Sequence, residues 1–261
     1  ANNYQDILGA SGDINKMFVY RDQLYAQTDY ATWFISTRPQ TMTTNEGNVE
    51  IGTGDIFSIP PKRIESVDRG YAGNQHQWTT VVTEFGTFWV DANAGKVFLL
   101  AGKGPKDVTL KGMRNWFAEN LPFNVLEALP DFNVDSHTSK NGVGLQAYLD
   151  PRHNRIILHK RDYKLIGDAA TIDSYETYVD PAPNTYGYNS TTGEYYSWNG
   201  VSEVIENILS DVSLYEDKSW TISLNLMGEN WASFHSYIPM WGFTNRNNFF
   251  IHNDIITFWD Y

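Results

Sequence analysis

Apolar and polar residues in this chain fall into pairs of short apolar runs separated by tight polar turns. The clearest pairs span 81–100, 145–160 and 220–235, and their turns carry Asn, Asp, Gly or Pro. Two apolar runs joined by such a turn are typical of two antiparallel strands. Residues 17–37 read as strand, turn, strand, strand, and 184–198 read as a further hairpin. The pattern therefore predicts a mainly β fold built from antiparallel hairpins.

Hairpins that recur along a chain indicate radially repeated sheets, as in a β-propeller. The second strands of the three clearest hairpins begin near Val97, Ile156 and Trp231, so their spacing is uneven and insertions must lie between them. We expect β-propeller-like blades, in a complete or an incomplete propeller, near 17–37, 78–100, 145–163 and 220–237. The polar stretch 168–183 is expected to be a long surface loop.

Helical periodicity is strong in only two places. One follows Gly112, and the other has Ser202 as a candidate N-cap. They predict short helical insertions near 112–120 and 202–210. No low-complexity linker divides the chain, so we expect one β-propeller-like domain over 1–261, or a fragment of one, without an internal boundary. Because the chain begins at Ala1 and stops at Tyr261 within an apolar run, we expect it to be part of a larger subunit.

Composition favours the β class. Hydrophobic residues make up 41% of the 261 residues and aromatic residues 15%. A chain of this length and apolar content can bury a substantial core. Aromatic side chains suit a half-buried pleated surface better than a helix.

The charge balance argues against a nucleic-acid-binding protein. Nineteen Lys and Arg stand against 31 Asp and Glu, a net charge of −12, which repels phosphate backbones at long range. One basic strip stands out, for which a solvated hairpin edge is the favoured interpretation: Arg152, Arg155, Lys160, Arg161 and Lys164. No apolar stretch approaches the roughly 20 residues of a membrane span, so no membrane is expected as a partner.

No motif in the chain carries recognisable chemistry. There is no cysteine, and the six histidines, most of them expected at the surface or in hairpins, lack metal-binding spacing. The turn from Asp91 to Gly95 is similar to the start of a calcium loop, but its glycine comes one place early and position 102 is Gly, so a plain turn is favoured. Nucleotide-binding and acyl-transfer motifs are missing. We therefore predict no catalytic, cofactor-binding or metal-binding residue and no enzyme, although carboxylate pairs for glycoside hydrolysis stay open.

Several long sequence segments, occurring in the same order, are shared with a known protein family. They include Gly52 to Ser58, Gly70 to Gln75, Lys111 to Phe117 and Trp231 to Pro239. With these segments the chain resembles the muzzle or nozzle proteins of the tails of crAss-like short-tailed bacteriophages.

The resemblance implies a structural virion protein at the distal end of the tail's DNA conduit, with propeller-type blades and no catalytic residue. Its implied partners are other tail subunits, further segments of the same larger subunit and neighbouring copies in a ring. Passing DNA is expected to be contacted weakly if at all, because the chain is acidic.

A second hypothesis is a carbohydrate-binding or glycan-cleaving propeller for host attachment. Aromatic residues in exposed loops stack on sugars, and the hairpin at 184–198 supplies candidates: Tyr186, Tyr188, Tyr195, Tyr196 and Trp198. Alternation with polar residues is equally typical of a packed blade. The tail-structural hypothesis is favoured.

Overall fold

Short apolar runs and tight turns give the chain a mainly β fold, as predicted. The computed structural model describes residues 6–37, 40–44, 47–51, 59–66, 70–102, 104–128, 134, 143–166, 175–179, 185–189, 194–197, 212–245, 248–253 and 257–260. The chain divides into two units. The first comprises residues 1–121 and 225–231, and the second comprises 122–224 and 232–261.

The first unit opens with a five-stranded sheet. Its strands, in spatial order, are β1 (Ile14–Tyr20), β2 (Gln23–Thr28), β3 (Thr32–Ile35), β6 (Lys62–Ser66) and β7 (Gly70–Tyr71). A separate hairpin of β4 (Gln40–Thr44) and β5 (Gly47–Ile51) is inserted between β3 and β6.

The turn at Arg21 and Asp22 sets the register of this sheet. Both residues have positive φ, 50° and 57°. Two such residues give the turn whose twist matches that of the flanking strands, and Tyr20 consequently pairs with Gln23. The predicted strand, turn, strand, strand over 17–37 is confirmed.

A four-stranded meander forms the second sheet of this unit: β8 (Val81–Val82), β9 (Thr87–Asp91), β10 (Lys96–Leu100) and β11 (Pro105–Asp107). A 3₁₀-helix (Val108–Leu110) and helix α1 (Arg114–Asn120) follow. The hairpin predicted within 78–100 and the helix predicted near 112–120 are both confirmed.

The two sheets of the first unit pack face to face around aromatic side chains. Phe18 and Tyr20 of β1 share a buried cluster with Trp89, Phe98 and Leu100 of the second sheet. The rings of Trp89 and Phe98 lie 5.7 Å apart. Large rings bury the most apolar area per residue, which explains how two small sheets form a stable core.

Among its described residues, the second unit contains one short helix and twelve strands. These elements are α2 (Val125–Ala128), β12 (Gly144–Asp150), β13 (Arg155–Arg161), β14 (Tyr163–Leu165), β15 (Tyr175–Val179), β16 (Thr185–Asn189), β17 (Glu194–Ser197), β18 (Tyr215–Asp217), β19 (Trp220–Asn225), β20 (Asn230–His235), β21 (Trp241–Asn245), β22 (Asn248–Asn253) and β23 (Thr257–Asp260). Residues 225–231, around the turn between β19 and β20, count with the first unit.

Sheets of the second unit have the orders β12-β13-β19-β20, β15-β16-β17, β21-β22-β23 and β14-β18. The first and third of these sheets pack face to face through Tyr148, Ile157, Phe249 and Ile251. Gly242 of β21 permits this approach, because a Cβ there would lie 2.6 Å from the ring of Tyr148.

The hairpins expected near 145–163 and 220–237 exist, but β13 pairs with β19, so they form one sheet rather than one blade each. The loop predicted over 168–183 is wrong where β15 pairs with β16. Four of the five residues of Tyr175–Val179 are of the types that favour strands, namely two tyrosines, a threonine and a valine. The helix predicted near 202–210 lies outside the described residues. Within the described part of the chain, no helix is long and apolar enough to span a membrane.

Candidate functional site

The loop after β7 forms a polar clamp in the first unit, which we define as Gly73, Asn74, Gln75 and Asp91. Asn74 is fully buried. Its amide nitrogen donates to Gln27 Oε1 at 2.8 Å and to Thr80 Oγ1 at 2.7 Å, while its Oδ1 accepts from the backbone N–H of His76 at 2.8 Å. These hydrogen bonds offset the free-energy cost of burying the Asn74 amide, and they fix the loop in one conformation.

Gly73 and Gln75 connect this loop to the second sheet. The N–H of Gly73 donates to Asp91 Oδ2 at 2.9 Å, and the carbonyl of Gly73 accepts from the indole N–H of Trp89 at 3.1 Å. Gln75 Nε2 donates to Asp91 Oδ1 at 3.1 Å. The polar clamp therefore joins the loop to β9 on several atoms at once.

Asp91 has a structural role at the end of β9. Its side chain is buried, and burial raises the pKa of its carboxyl above the ordinary value, although the hydrogen bonds from Ala94, Gly73 and Gln75 favour the charged form. The N–H of Ala94 donates to Oδ1 at 3.0 Å. Both oxygens of the residue that opens the calcium-like turn are thus engaged within the protein.

A second buried cluster, the carboxylate hub, surrounds Asp162 in the second unit and comprises Asp162, Lys160, Asn124, Val125 and Tyr163. Asp162 Oδ2 accepts from Lys160 Nζ at 2.7 Å and from the N–H and side-chain amide of Asn124 at 2.8 and 2.7 Å. Its Oδ1 accepts from the N–H of Val125 at 3.2 Å and of Tyr163 at 2.9 Å. One carboxylate thereby holds the start of α2 against the end of β13.

Lys160 is the cation of this hub. Its side chain has no exposed surface, its Nζ also donates to the carbonyl of Pro122 at 2.6 Å, and it lies 4.6 Å from the ring centre of Phe123. Burial lowers the pKa of Lys160, and the charge of Asp162 opposes that shift. The ion pair is therefore an internal structural element that no solvent-borne ligand reaches.

Comparison with known proteins places these features in a family. A family model described as Crassvirus muzzle protein matches residues 1–166, more than half of the chain, and this stretch contains the polar clamp and the carboxylate hub. The chain belongs to the Crassvirus muzzle protein family. No curated protein matches it. The chain is accordingly a structural component of the virion tail, and the resemblance noted in the sequence is confirmed.

In this muzzle-family chain the predicted basic strip is a solvated edge only in part, since Arg152 and Lys164 are exposed. Lys160 is internal, and Arg155 donates to the buried Asp150 through Nε at 2.7 Å. Arg152 donates to Asn248 Oδ1 at 2.7 Å, and Arg161 donates to the hydroxyl of Tyr163 at 3.0 Å. The prediction is wrong for Lys160 because β13 alternates its faces, and Lys160 shares a face with Ile156 and Leu158.

Asp150 organises the turn between β12 and β13. Burial alone would raise the pKa of its carboxyl, but the hydrogen bonds and charges of Arg155 and His153 lower it below the ordinary value. His153 Nδ1 lies 2.8 Å from Asp150 Oδ2. Three of the basic or potentially basic groups in this region thus serve internal carboxylates: Arg155, His153 and Lys160.

The histidines follow the expectation that most lie at the surface or in hairpins, since four of the six belong to hairpin turns or strands: His153, His159, His235 and His252. His76 and His159 are buried, whereas His153 is exposed. Burial, with the charge of Arg161, lowers the pKa of His159 to about 3. Among the described residues, no group of three or more His, Asp or Glu side chains is placed to hold a metal ion.

The four candidate sugar-binding tyrosines lie on the predicted hairpin, now seen as β16 and β17. Trp198 and the side chains of the four tyrosines are outside what the structure describes. A separate aromatic row was missed by sequence reasoning: Trp241, Phe243 and Phe250 stack on one face of the sheet β21-β22-β23, with centroid distances of 5.3 and 5.1 Å. The sequence signal that could have indicated this aromatic row is the two-residue spacing of Trp241 and Phe243, which places both rings on one face of a strand.

Proposed function

We propose that this muzzle-family chain is a non-enzymatic wall element at the distal end of the tail's DNA conduit, assembled in a ring with neighbouring copies and other tail subunits. The observation that supports this role best is the internal use of its cations. Lys160 and Arg155 are committed to Asp162 and Asp150, while the chain as a whole carries −12. A wall of this kind attracts phosphate backbones weakly and lets DNA pass.

Propeller-type blades are part of the proposal. The meander β8–β11 has the four-stranded antiparallel form of a blade, and it packs face to face on the sheet that contains β1. In the second unit, the sheets containing β12 and β21 stack in the same manner. Repeated face-to-face stacking is the building rule of a propeller, in which further blades come from other segments or copies.

Host-glycan binding is the second candidate, and the aromatic row of β21 and β22 favours it. Phe243 is 37% exposed. The rings of the row, however, lie nearly parallel, with interplanar angles of 20° and 22°, so neighbouring rings cover the faces on which a sugar would stack. This arrangement ranks glycan binding below the tail-wall role.

Binding assays on the 261-residue chain separate the two functions. Fluorescence anisotropy with labelled duplex DNA at physiological salt is expected to show no saturable binding at micromolar protein, a range in which non-specific DNA-binding proteins already bind (Kd of roughly 10⁻⁴ to 10⁻⁶ M). Calorimetry and reducing-end assays with host-surface polysaccharide are expected to show neither binding nor cleavage. Tight DNA binding would contradict the passive wall, and polysaccharide cleavage would establish the alternative.

A further inference from the structure

Two outer strands of this chain expose apolar side chains, and they lie in different sheets. β1 has one strand neighbour, β2, and exposes Met17 and Val19 by 50% and 59%. β20 is the last strand in the order β12-β13-β19-β20 and exposes Phe234 by 56%, with Ala232 and Ser233 also exposed. An outer strand offers backbone N–H and carbonyl groups to another chain.

Three other outer strands of the described sheets are protected in ways typical of soluble proteins. β8 has only two residues, β11 contains Pro105 and Lys106, and the side chains of β12 are mostly buried. β20, in contrast, has six residues and contains neither proline nor a charged residue. An unprotected strand of this kind is an aggregation hazard unless assembly covers it.

We propose that β20 of one copy pairs antiparallel with β1 of a second copy and extends one sheet across the two molecules. The proposal rests on the ring assembly proposed above, because a head-to-tail contact between two different strands is heterologous, and such contacts form a ring when the rotation between neighbouring copies closes. Strand addition of this type combines backbone hydrogen bonds with side-chain rows on each face. In an antiparallel pair, Phe234 and Ala232 lie opposite Met17 and Val19 and continue one apolar row.

Charge favours this pairing over β1 with itself. Lys16 is the one charged residue within β1, so two copies of β1 would bring like charges together, whereas β20 is uncharged. Arg21 directly follows β1, and Glu229, whose carboxylate accepts from Lys106 Nζ of its own chain at 2.9 Å, directly precedes β20. Antiparallel pairing places Arg21 at the same end of the joined strands as this ion pair.

The cysteine-free chain makes the pairing directly testable. Differently tagged Val19→Cys and Ala232→Cys chains are mixed at concentrations where light scattering shows oligomers, and are oxidised. Opposite residues in an antiparallel pair have Cβ atoms roughly 4.5 to 5.5 Å apart, close enough for a disulfide with slight adjustment. We expect a disulfide-linked mixed dimer, with little product from either variant alone. Val212→Cys, at a site 78% exposed, replaces Ala232→Cys in the control for random collision.

A mixed product no greater than the Val212→Cys control overturns the pairing, and so does a dominant Ala232→Cys homodimer, which would show two copies of β20 pairing. Phe234→Lys is expected to abolish the crosslink with Ala232→Cys in the same chain, while Phe234→Leu preserves it. Both variants should keep the wild-type circular dichroism, because Phe234 is largely exposed. If rings form without the mixed crosslink, only the pairing of β20 with β1 is refuted. If the chain forms no oligomer, the ring assembly proposed above is refuted as well.

Discussion

Replacing Asp162 by alanine removes the centre of the carboxylate hub and should be the most damaging single change in the second unit. The substitution takes away the acceptor of five hydrogen bonds, including that of Lys160 Nζ at 2.7 Å. Lys160 is then left buried without its counter-charge, which costs about 3–5 kcal/mol. Against a typical total stability of about 5–15 kcal/mol, this is a large fraction.

Lys160→Met is the matched comparison. It removes the cation, but Asp162 retains four N–H donors, from the backbone and side chain of Asn124 and the backbone of Val125 and Tyr163. We therefore expect a loss of only about 1–2 kcal/mol. The double variant Lys160→Met/Asp162→Asn removes both charges and should be more stable than Asp162→Ala, because no buried charge is left unpaired.

Urea denaturation followed by tryptophan fluorescence and circular dichroism measures these differences as changes in the free energy of unfolding. If Lys160→Met costs as much as Asp162→Ala, the hub does not depend on the charge of Lys160 as argued. The single variant Asp162→Asn completes the cycle, and a double variant that loses the sum of the Lys160→Met and Asp162→Asn effects would refute the coupling, since independent sites add and coupled ones do not.

Three further outcomes follow from the same contacts. Gly73→Ala should lower the free energy of unfolding by about 3 kcal/mol, because its Cβ would lie 2.1 Å from the backbone oxygen of Asp29. Gly9→Ala is the control: a Cβ there would have no atom within 4 Å, so the same urea denaturation should show little change. His159 has a pKa of about 3 in the folded protein and about 6.5 in the unfolded chain, so unfolding takes up a proton between these two pH values. The free energy of unfolding therefore falls as the pH is lowered from 6.5 to 3, by at most about 1.4 kcal/mol per pH unit. His159→Phe should reduce that slope by one proton, and an unchanged slope would contradict the assigned pKa. The lowered pKa of Asp150 adds a loss of stability as pH falls through its folded value, and this loss should persist in His159→Phe and shrink in Asp150→Asn.

Local signals in the sequence predicted the hairpins well, and long-range contacts explain what they missed. The Arg21–Asp22 turn and the apolar runs around it are written in adjacent residues, so β1 and β2 could be read directly. The pairing of β13 with β19 joins segments far apart in sequence and leaves no local trace. The resemblance noted in the sequence supplied the family, which the residues' chemistry alone did not indicate.

The polar clamp shows the same limit. Asn74 is fixed by Gln27, 47 residues away, and nothing near Asn74 indicates that its amide is buried. The burial of Lys160, in contrast, could have been recognised from the sequence. Lys160 falls on the same strand face as the apolar Ile156 and Leu158, and Asp162 lies two residues further on. A lysine on the apolar face of a predicted strand, with a nearby carboxylate, predicts a buried ion pair.

Cryo-electron microscopy of the phage particle that carries this chain tests the proposed tail-wall role. We expect density for its stacked antiparallel sheets, including the meander β8–β11, in a ring around the DNA conduit at the distal end of the tail. Density for this chain away from the conduit, or as isolated copies on peripheral fibres, would contradict it.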